Sequence, residues 1–580
     1  MLPEPGVAAQ RDLAQWAAET ILTAYDAYKA AYRAVTRRAP DRFRARDWHA
    51  AQADAVERLS LRAEFLDGVI RTLQDGLGPS ARDVALWARV KAEYSRAIAS
   101  RPTSELAQTF YSSVARRVVD VVGVLPGIEF TDSDPIPPAP EGAAVHRTYP
   151  PQAHTEDLLR DLLREVPFDV SWADLDRDAR IAAAELDSHL RSSDEEPPLD
   201  AIEVLRPVFY RNKGAYVVGR LRRGAVNSPL VLAVLHGERG LELDAILFSQ
   251  TDANIVFSFT RSYFHVDTDR PRDIVAFLHS IMPQKRTSEL YISIGHHKHG
   301  KTLLYREIKE HLTRSSDRFQ DAAGDRGMVM IVFTLPGLDI VFKVIRDRFQ
   351  FPKSTTRMEV KQKYQLVFRH DRAGRLVDAQ EFEHLAFDAS RFTPDLLEEL
   401  RTEASETVRI DGGRVVIEHL YAERRVIPLN LFIRQADEWS ARLALLDYGQ
   451  AIRDLAVTNT FPGDLLLKNF GVTRSGRVVF YDYDELCLVT DVNFRDLPPP
   501  RHEEEETAGE PWFYVGEDDV FPEEFIRFLG LPDRLRDAFV AHHATVLTAE
   551  FWRGCQARLR AGEISDIFPY RESQRLWHGR

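Results

Sequence analysis

The sequence predicts an α+β protein of two domains: a mainly helical N-terminal domain with a strand-rich part, then a domain in which strands precede helices. Three observations carry this. The first third repeats apolar residues at three- and four-residue spacing, the period of an amphipathic helix. From about residue 202 the period falls to two, the period of a strand. The length, 580 residues, exceeds what one hydrophobic core organises.

Taken in order, "RDLAQWAAETILTAYDAYKAAYRAV" and "VERLSLRAEFLDGVIRTLQDGL" are expected to be helices, the second stopping near a glycine. A proline-rich connector covers 133–152, and "WADLDRDARIAAAELDSHLRSS" returns to helix. "EVLRPVFY-RNKG-AYVVGRLRRG" reads as a hairpin and "PLVLAVLHGERGLELDAILFS" as a strand pair. "ELYISI" alternates like a strand and "TLLYREIKEHL" repeats like a helix. A second strand-rich stretch opens at "GMVMIVFTLPGLDIVFKVI" and passes through a helix at "RMEVKQKYQLVFRHD". It returns to strands at "RVVIEHLYAE" and "RVIPLNLFI". Helices from "LALLDYGQAIRDLAV" onward are interrupted by a strand pair around "GVTRSGRVVFYDYDE" and by an irregular stretch, "DLPPPRHEEEETAGEP". The two domains meet near residues 310–320 and are divided as 1–316 and 317–580.

Composition excludes several classes of function. Apolar content of 44% with 28% charged is that of a soluble globular chain. A net charge of −13 leaves no electrostatic footprint for nucleic acid or an anionic membrane. No apolar run is long enough to span a bilayer, and the N-terminus has no secretory pattern. Cys487 and Cys555 alone make neither a disulfide framework nor a Cys-rich zinc site, so the expected setting is the cytoplasm.

Residues 295–302, "GHHKHGKT", match the phosphate-cradling pattern G-x-x-x-x-G-K-[ST], which would place a nucleotide on Lys301. A P-loop fold continues into strand–helix repeats and a parallel sheet, whereas this chain continues into a meander. The match is therefore read as accidental. His296, His297 and His299 are read as part of a solvated turn, and His370-Asp371 as a helix-end turn rather than a phosphohydrolase signature.

A second constellation carries more. "AAGDRGMVMIVF" is a small glycine loop before a strand. Lys343 lies within the apolar strand "DIVFKVI" and faces inward only if an anion meets it. "FPGDLLLKNFGVTRSGRVVFYDYDE" holds Asp464, then Asn469 in a D-x-x-x-x-N spacing, then Asp482 at the end of a hydrophobic strand. Protein kinases use this order. The first aspartate orients the hydroxyl nucleophile, the asparagine holds a metal, and the second aspartate brings a carboxylate to the same metals. The second domain is accordingly expected to be bilobal and protein-kinase-like.

With "FTLPGLDIVFKVIRDRF", "HDRAGRLVDAQEFEHL", "IPLN" and "NFRDLPPPR" added, the chain closely resembles the isocitrate dehydrogenase kinase/phosphatase family over its whole length, most strongly from about residue 320 to 500. The resemblance implies a regulatory domain followed by a kinase-like domain. It also implies a single site that phosphorylates and dephosphorylates a serine of isocitrate dehydrogenase, at the branch between the citric acid cycle and the glyoxylate bypass. Carried over, the ATP loop falls on Ala322, Ala323, Gly324, Asp325, Arg326, Gly327 and Met328, and the phosphate-contacting lysine on Lys343. The catalytic aspartate falls on Asp464, the Mg2+ (or Mn2+) ligands on Asn469 and Asp482, and an acid of the phosphatase direction, orienting a water, on Asp378. AMP is implied as an allosteric effector, adenine is expected near the strand-to-helix hinge after "PLNLFI", and a homodimer stays open. Pro462-Gly463 stands where kinases have His-Arg, Asp482-Tyr483-Asp484 replaces D-F-G, and no A-P-E follows. Glu359, Glu381 and Glu383 are candidates for the glutamate that pairs with Lys343. The competing readings are a P-loop NTPase using Lys301 and a nucleotide-binding pseudokinase.

Overall fold

A computed structural model describes residues 12–120, 125–131, 144–192, 197–259, 263–324, 326–351, 353, 355–370, 372–499 and 513–576. Asp325, Asp371, residues 133–143 of the connector and residues 500–511 of the irregular stretch lie outside the described residues. Two compact units emerge. The first comprises Met1–Ser258, Ser262–Ser315 and Phe568–Arg580; the second comprises Phe259–Arg261 and Ser316–Ile567.

The first unit opens with helices α1 (Leu13–Thr36), α2 (Ala39–Ala45), α3 (Trp48–Leu77), α4 (Val84–Ile98) and α5 (Ser104–Val119). Three of them start on an aspartate that accepts a free backbone N–H: Asp12 from Ala14, Asp47 from Ala50 and Asp83 from Ala85. Their apolar faces close over Trp87, Tyr94, Phe110 and Tyr111. An antiparallel sheet follows, built from β1 (His146–Tyr149), β2 (Ala201–Leu205), β3 (Phe209–Arg211), β4 (Gly214–Arg223), β5 (Val226–Gly237) and β6 (Gly240–Leu247). Its order is β1-β2-β4-β5-β6, with β3 also on β4. Helices α6 (Thr155–Glu165) and α7 (Leu175–Ser192) pack against it with α8 (Gln250–Val256) and α9 (Pro271–Ile281). No helix among the described residues is long and apolar enough to cross a membrane.

Two expectations for this unit are corrected. "ELYISI" is not a strand but belongs to helix α10 (Thr287–Ser293). Its alternation misled because the polar positions are not an outer face. Ser288 and Ser293 are buried, Ser293 Oγ donates to the Leu290 carbonyl, and Tyr291 donates to Glu105 at 2.6 Å. Nor is the histidine segment a solvated turn. It leads into helix α11 (His297–Arg314), where His299 is buried against Tyr291 and shares a 2.8 Å hydrogen bond with Thr109. Burial, reinforced by Arg58, drives His296 down to about 3, so its ring is neutral at physiological pH. Lys301 lies inside α11, and Thr302 bonds back to the Lys298 carbonyl at 3.0 Å, as a helix residue does.

The second unit begins with a sheet ordered β10-β12-β9-β8-β7. Its strands are β7 (Gln320–Asp321), β8 (Met330–Thr334), β9 (Ile340–Ile345), β10 (Ala379–Asp388) and β12 (Arg414–Arg424), with β11 (Val408–Asp411) on β12. Helix α12 (Arg357–His370) lies between β9 and β10 in the chain, and α13 (Pro394–Glu403) follows β10. "RVIPLNLFI" is not a strand throughout. Only β13 (Ile427–Pro428) is extended, and α14 (Leu429–Gln435) starts immediately after Pro428, a residue that cannot lengthen a ladder. The mainly helical remainder holds α15 (Glu438–Val457) and the hairpin β14 (Phe470–Val472)–β15 (Val478–Phe480).

One buried cation ties this part together. Arg375 donates to both oxygens of Asp447 at 2.8 and 2.9 Å, to Asp454 at 2.7 Å and to the Val478 carbonyl at 3.0 Å. Asp447 also accepts the Val478 N–H at 2.6 Å. Burial would raise the Asp447 carboxyl, but the guanidinium holds it below its ordinary value. The cluster thus locks α15 to β15, the strand that delivers Asp482.

Arg375→Met should leave two carboxylates without their cation and cost about 3 kcal/mol, lowering the melting temperature of the second unit by roughly 6–12 °C. Differential scanning calorimetry reads this directly. A shift under about 2 °C would show that the cluster is not a structural tie.

Candidate active site

A cavity of about 890 Å³ lies within the second unit. Its walls bring together the glycine loop, Lys343, Asp464, Asn469 and Asp482, which the sequence scatters over 161 positions from Ala322 to Asp482. Ala322, Ala323, Gly324, Arg326, Gly327 and Met328 all line it, as do Ile427, Pro428, Asn430 and Leu431. The strand-to-helix hinge is therefore at the start of "PLNLFI", not after it.

Lys343 is 5% exposed on β9. The β9–β12 ladder sets Tyr421 opposite it, so Glu423, two residues on, shares its face. Lys343 Nζ meets Glu423 at 2.8 Å and donates to the Tyr481 carbonyl at 2.7 Å. Glu423 is itself buried and receives the Tyr364 hydroxyl from α12 at 3.2 Å. Burial raises the Glu423 carboxyl and Lys343 opposes the shift. The three glutamates suggested by sequence do other work. Glu359 accepts the Thr356 N–H at the start of α12, Glu381 pairs with His419 at 2.7 Å, and Glu383 is exposed. Glu423 was missed. The signal was the anion that Lys343 required, but the pairing depends on strand register, which a single sequence does not reveal.

The Asp464 loop follows α15. Gly463 adopts φ +82°, and a Cβ there would lie 2.6 Å from the Glu485 carbonyl oxygen, so only glycine fits at this turn. The turn carries Asp464 into the cavity, where it accepts the Leu466 N–H at 2.8 Å. Burial raises its carboxyl. Asn469 is buried, and its backbone carbonyl accepts the Tyr481 N–H at 3.1 Å, which fixes the asparagine beside the residue preceding Asp482.

Asp482 is pushed up to about 7, first by burial and then by the neighbouring Asp484, with which it shares a hydrogen bond. Lys353 answers this charge, reaching Asp484 at 3.1 Å and pairing with Glu485. Lys353 and Lys468 also line the cavity and were not anticipated. No group of three or more His, Cys, Asp or Glu among the described residues forms a ready-made metal cage. The donor set is instead one amide and one or two carboxylates facing an open cavity. That suits a hard cation such as Mg2+, which keeps waters and takes its remaining oxygens from phosphate. Asp378 stands apart. It does not line the cavity; its carboxylate accepts the Gln380 amide at 2.6 Å, and its charge raises Glu423.

Residues 317–572 match the family described as "Isocitrate dehydrogenase kinase/phosphatase (AceK) kinase domain", and residues 18–316 match its regulatory domain. The isocitrate dehydrogenase kinase/phosphatase of Anaeromyxobacter sp. (strain Fw109-5) is 58% identical over 574 residues, covering 99% of this chain and all of the relative. That of Anaeromyxobacter dehalogenans (strain 2CP-C) is 57% identical over 589 aligned positions, covering all of both. The chain belongs to the isocitrate dehydrogenase kinase/phosphatase family.

A divalent cation bound at Asp482 would have to displace the proton that the carboxyl keeps up to about 7. Cation affinity should therefore fall about tenfold for each pH unit below about 7 and level off above about 8. Calorimetric titration of Mn2+ with ADP from pH 5.5 to 8.5 checks this, and a flat profile would remove Asp482 from the metal site.

Proposed function

We propose that the cavity of the second unit binds ATP with a divalent cation and serves both phosphoryl transfer and its reversal. The enzyme is a bifunctional kinase and phosphatase that acts on isocitrate dehydrogenase and so controls flux between the citric acid cycle and the glyoxylate bypass. The observation that carries the site is the convergence of Lys343, Asp464, Asn469 and Asp482 on one cavity beside a glycine loop.

The roles follow from chemistry. Lys343, held by Glu423, presents a fixed cation to the phosphates. Asp464, fixed by the Leu466 N–H, accepts the proton of the serine hydroxyl as transfer proceeds. Asn469 and Asp482 would hold the cation, which neutralises charge on the transferring group. Lys353 and Lys468 add positive charge along the same wall. Transfer then depends on positioning and charge neutralisation rather than on a covalent intermediate. Asp378, behind Glu423, favours the phosphatase direction as a positioning residue, through the field it places on the Lys343–Glu423 pair.

AMP fits this reading as an effector at the first unit. A small cavity there, about 70 Å³, is lined by Tyr28, Tyr32, Lys29, Arg62 and His296. Rings and cations suit an adenylate, but the space is smaller than a nucleotide. AMP would therefore bind an opened form and shift the balance of activities by stabilising it.

Lys343→Ala should lower kinase turnover by about a hundredfold or more, because a charge-assisted phosphate contact is lost. Lys301→Ala, altering a helix of the first unit, should stay within about threefold. The test is labelled ATP, Mg2+ and isocitrate dehydrogenase with each variant. A dead Lys301 variant beside a working Lys343 variant would restore the P-loop reading.

Asp378→Ala should reduce dephosphorylation of phospho-isocitrate dehydrogenase at least about tenfold more than phosphorylation. Paired assays on one preparation decide it, and equal losses in both directions would cancel the directional role.

A further inference from the structure

We propose that Glu399, on α13, is a positioning residue for the glycine loop, acting through two arginines to set nucleotide affinity in both directions of the reaction. The proposal rests on the reading that the loop covers the nucleotide. The connections are specific. Arg346, next after β9, is 1% exposed, and its Nε donates to the Gly327 carbonyl at 3.0 Å. Its backbone N–H donates to the Val329 carbonyl at 3.0 Å, so one residue holds both the loop and its exit. The rest of the guanidinium reaches Glu399 at 2.6 Å and also pairs with Glu403. Glu399 in turn receives Nε of Arg326, a loop residue, at 2.9 Å. One carboxylate, 9% exposed, therefore fixes the loop at two points, one buried and one at the cavity wall.

These are not ordinary surface pairs. A cation as buried as Arg346 is costly without counter-charge, and Glu399 with Glu403 supplies it. Gly327 fits the same picture: a Cβ there would stand 2.6 Å from the Met330 carbonyl oxygen, so the loop backbone packs down against the start of β8. Arg326, Arg346 and Glu399 all line the cavity. Moving the carboxylate therefore changes the height of the loop and the charge that the phosphates meet. Asp464, Asn469 and Asp482 belong to other elements and keep their geometry. The effect should fall on nucleotide binding and spare the transfer step.

Glu399→Gln keeps the side-chain size and removes the charge. The KM for ATP should rise about tenfold with kcat changed by less than about twofold. Glu399→Asp, which keeps the charge, should recover part of the loss. Glu398→Gln, an exposed neighbour paired with Arg401 on the same helix, should change neither constant. If Glu399→Gln fails to fold, Arg326→Gln decides: it removes the exposed arm alone and should raise KM about threefold. A KM within about twofold of wild type, or a fall in kcat at constant KM, overturns the proposal. ADP titration by calorimetry separates it from the parent reading. Binding lost in Lys343→Ala but kept in Glu399→Gln defeats the positioning role alone. No ADP binding to the wild-type protein overturns both.

Discussion

The candidate site is built around one lysine held away from water. Burying a lysine is costly unless counter-charge and hydrogen-bond acceptors replace its hydration. Lys343 finds these in Glu423 and in the Tyr481 carbonyl, and it lies 5.2 Å from the centre of the Tyr481 ring. The first partner is on the antiparallel sheet and the second is on the segment leading to Asp482. A single charged group thus joins the strand-rich part of the unit to the loop that carries its acids.

The origin of the counter-ion matters for control. In protein kinases the corresponding glutamate sits on a helix whose position switches activity. Here it sits on β12, a strand hydrogen-bonded to the strand of the lysine. A pair inside one sheet does not part when a helix swings. Helix α12 supplies Tyr364 instead, which stacks on Tyr421 with ring centres 3.7 Å apart and touches Glu423 with its hydroxyl. A movement of helix α12 alone would leave both members of the pair on the sheet.

Much of this was legible in the residues alone, and the limits are instructive. Lys343 stood out because a cation amid Val341, Phe342, Val344 and Ile345 has no reason to be there without an anion. Asp464, Asn469 and Asp482 stood out because their spacing is local and set by one turn and one hairpin. Glu423 and Glu399 did not, since each acts through partners far along the chain. Helix α10 was mistaken for a strand, and the histidines for a surface turn, for a common reason. Polar residues need not mark water: Ser293, Tyr291 and His299 are satisfied inside the core by the Leu290 carbonyl, Glu105 and Thr109.

The path of the chain has a consequence for how the molecule is made. Segment Phe568–Arg580 groups with the first unit although it follows the second in sequence. Tyr570 and Arg575 both reach the buried Asp244, at 2.7 and 2.8 Å, and Leu576 donates its N–H to the Asp244 carbonyl. On the ribosome, Asp244 is synthesised more than 300 residues before the groups that neutralise it, since Tyr570 lies 326 positions on. The whole second unit is therefore synthesised between Asp244 and the two side chains that meet it. A chain cut just after Ile567 would therefore keep every residue of the second unit and lack the two side chains that meet Asp244 in the first.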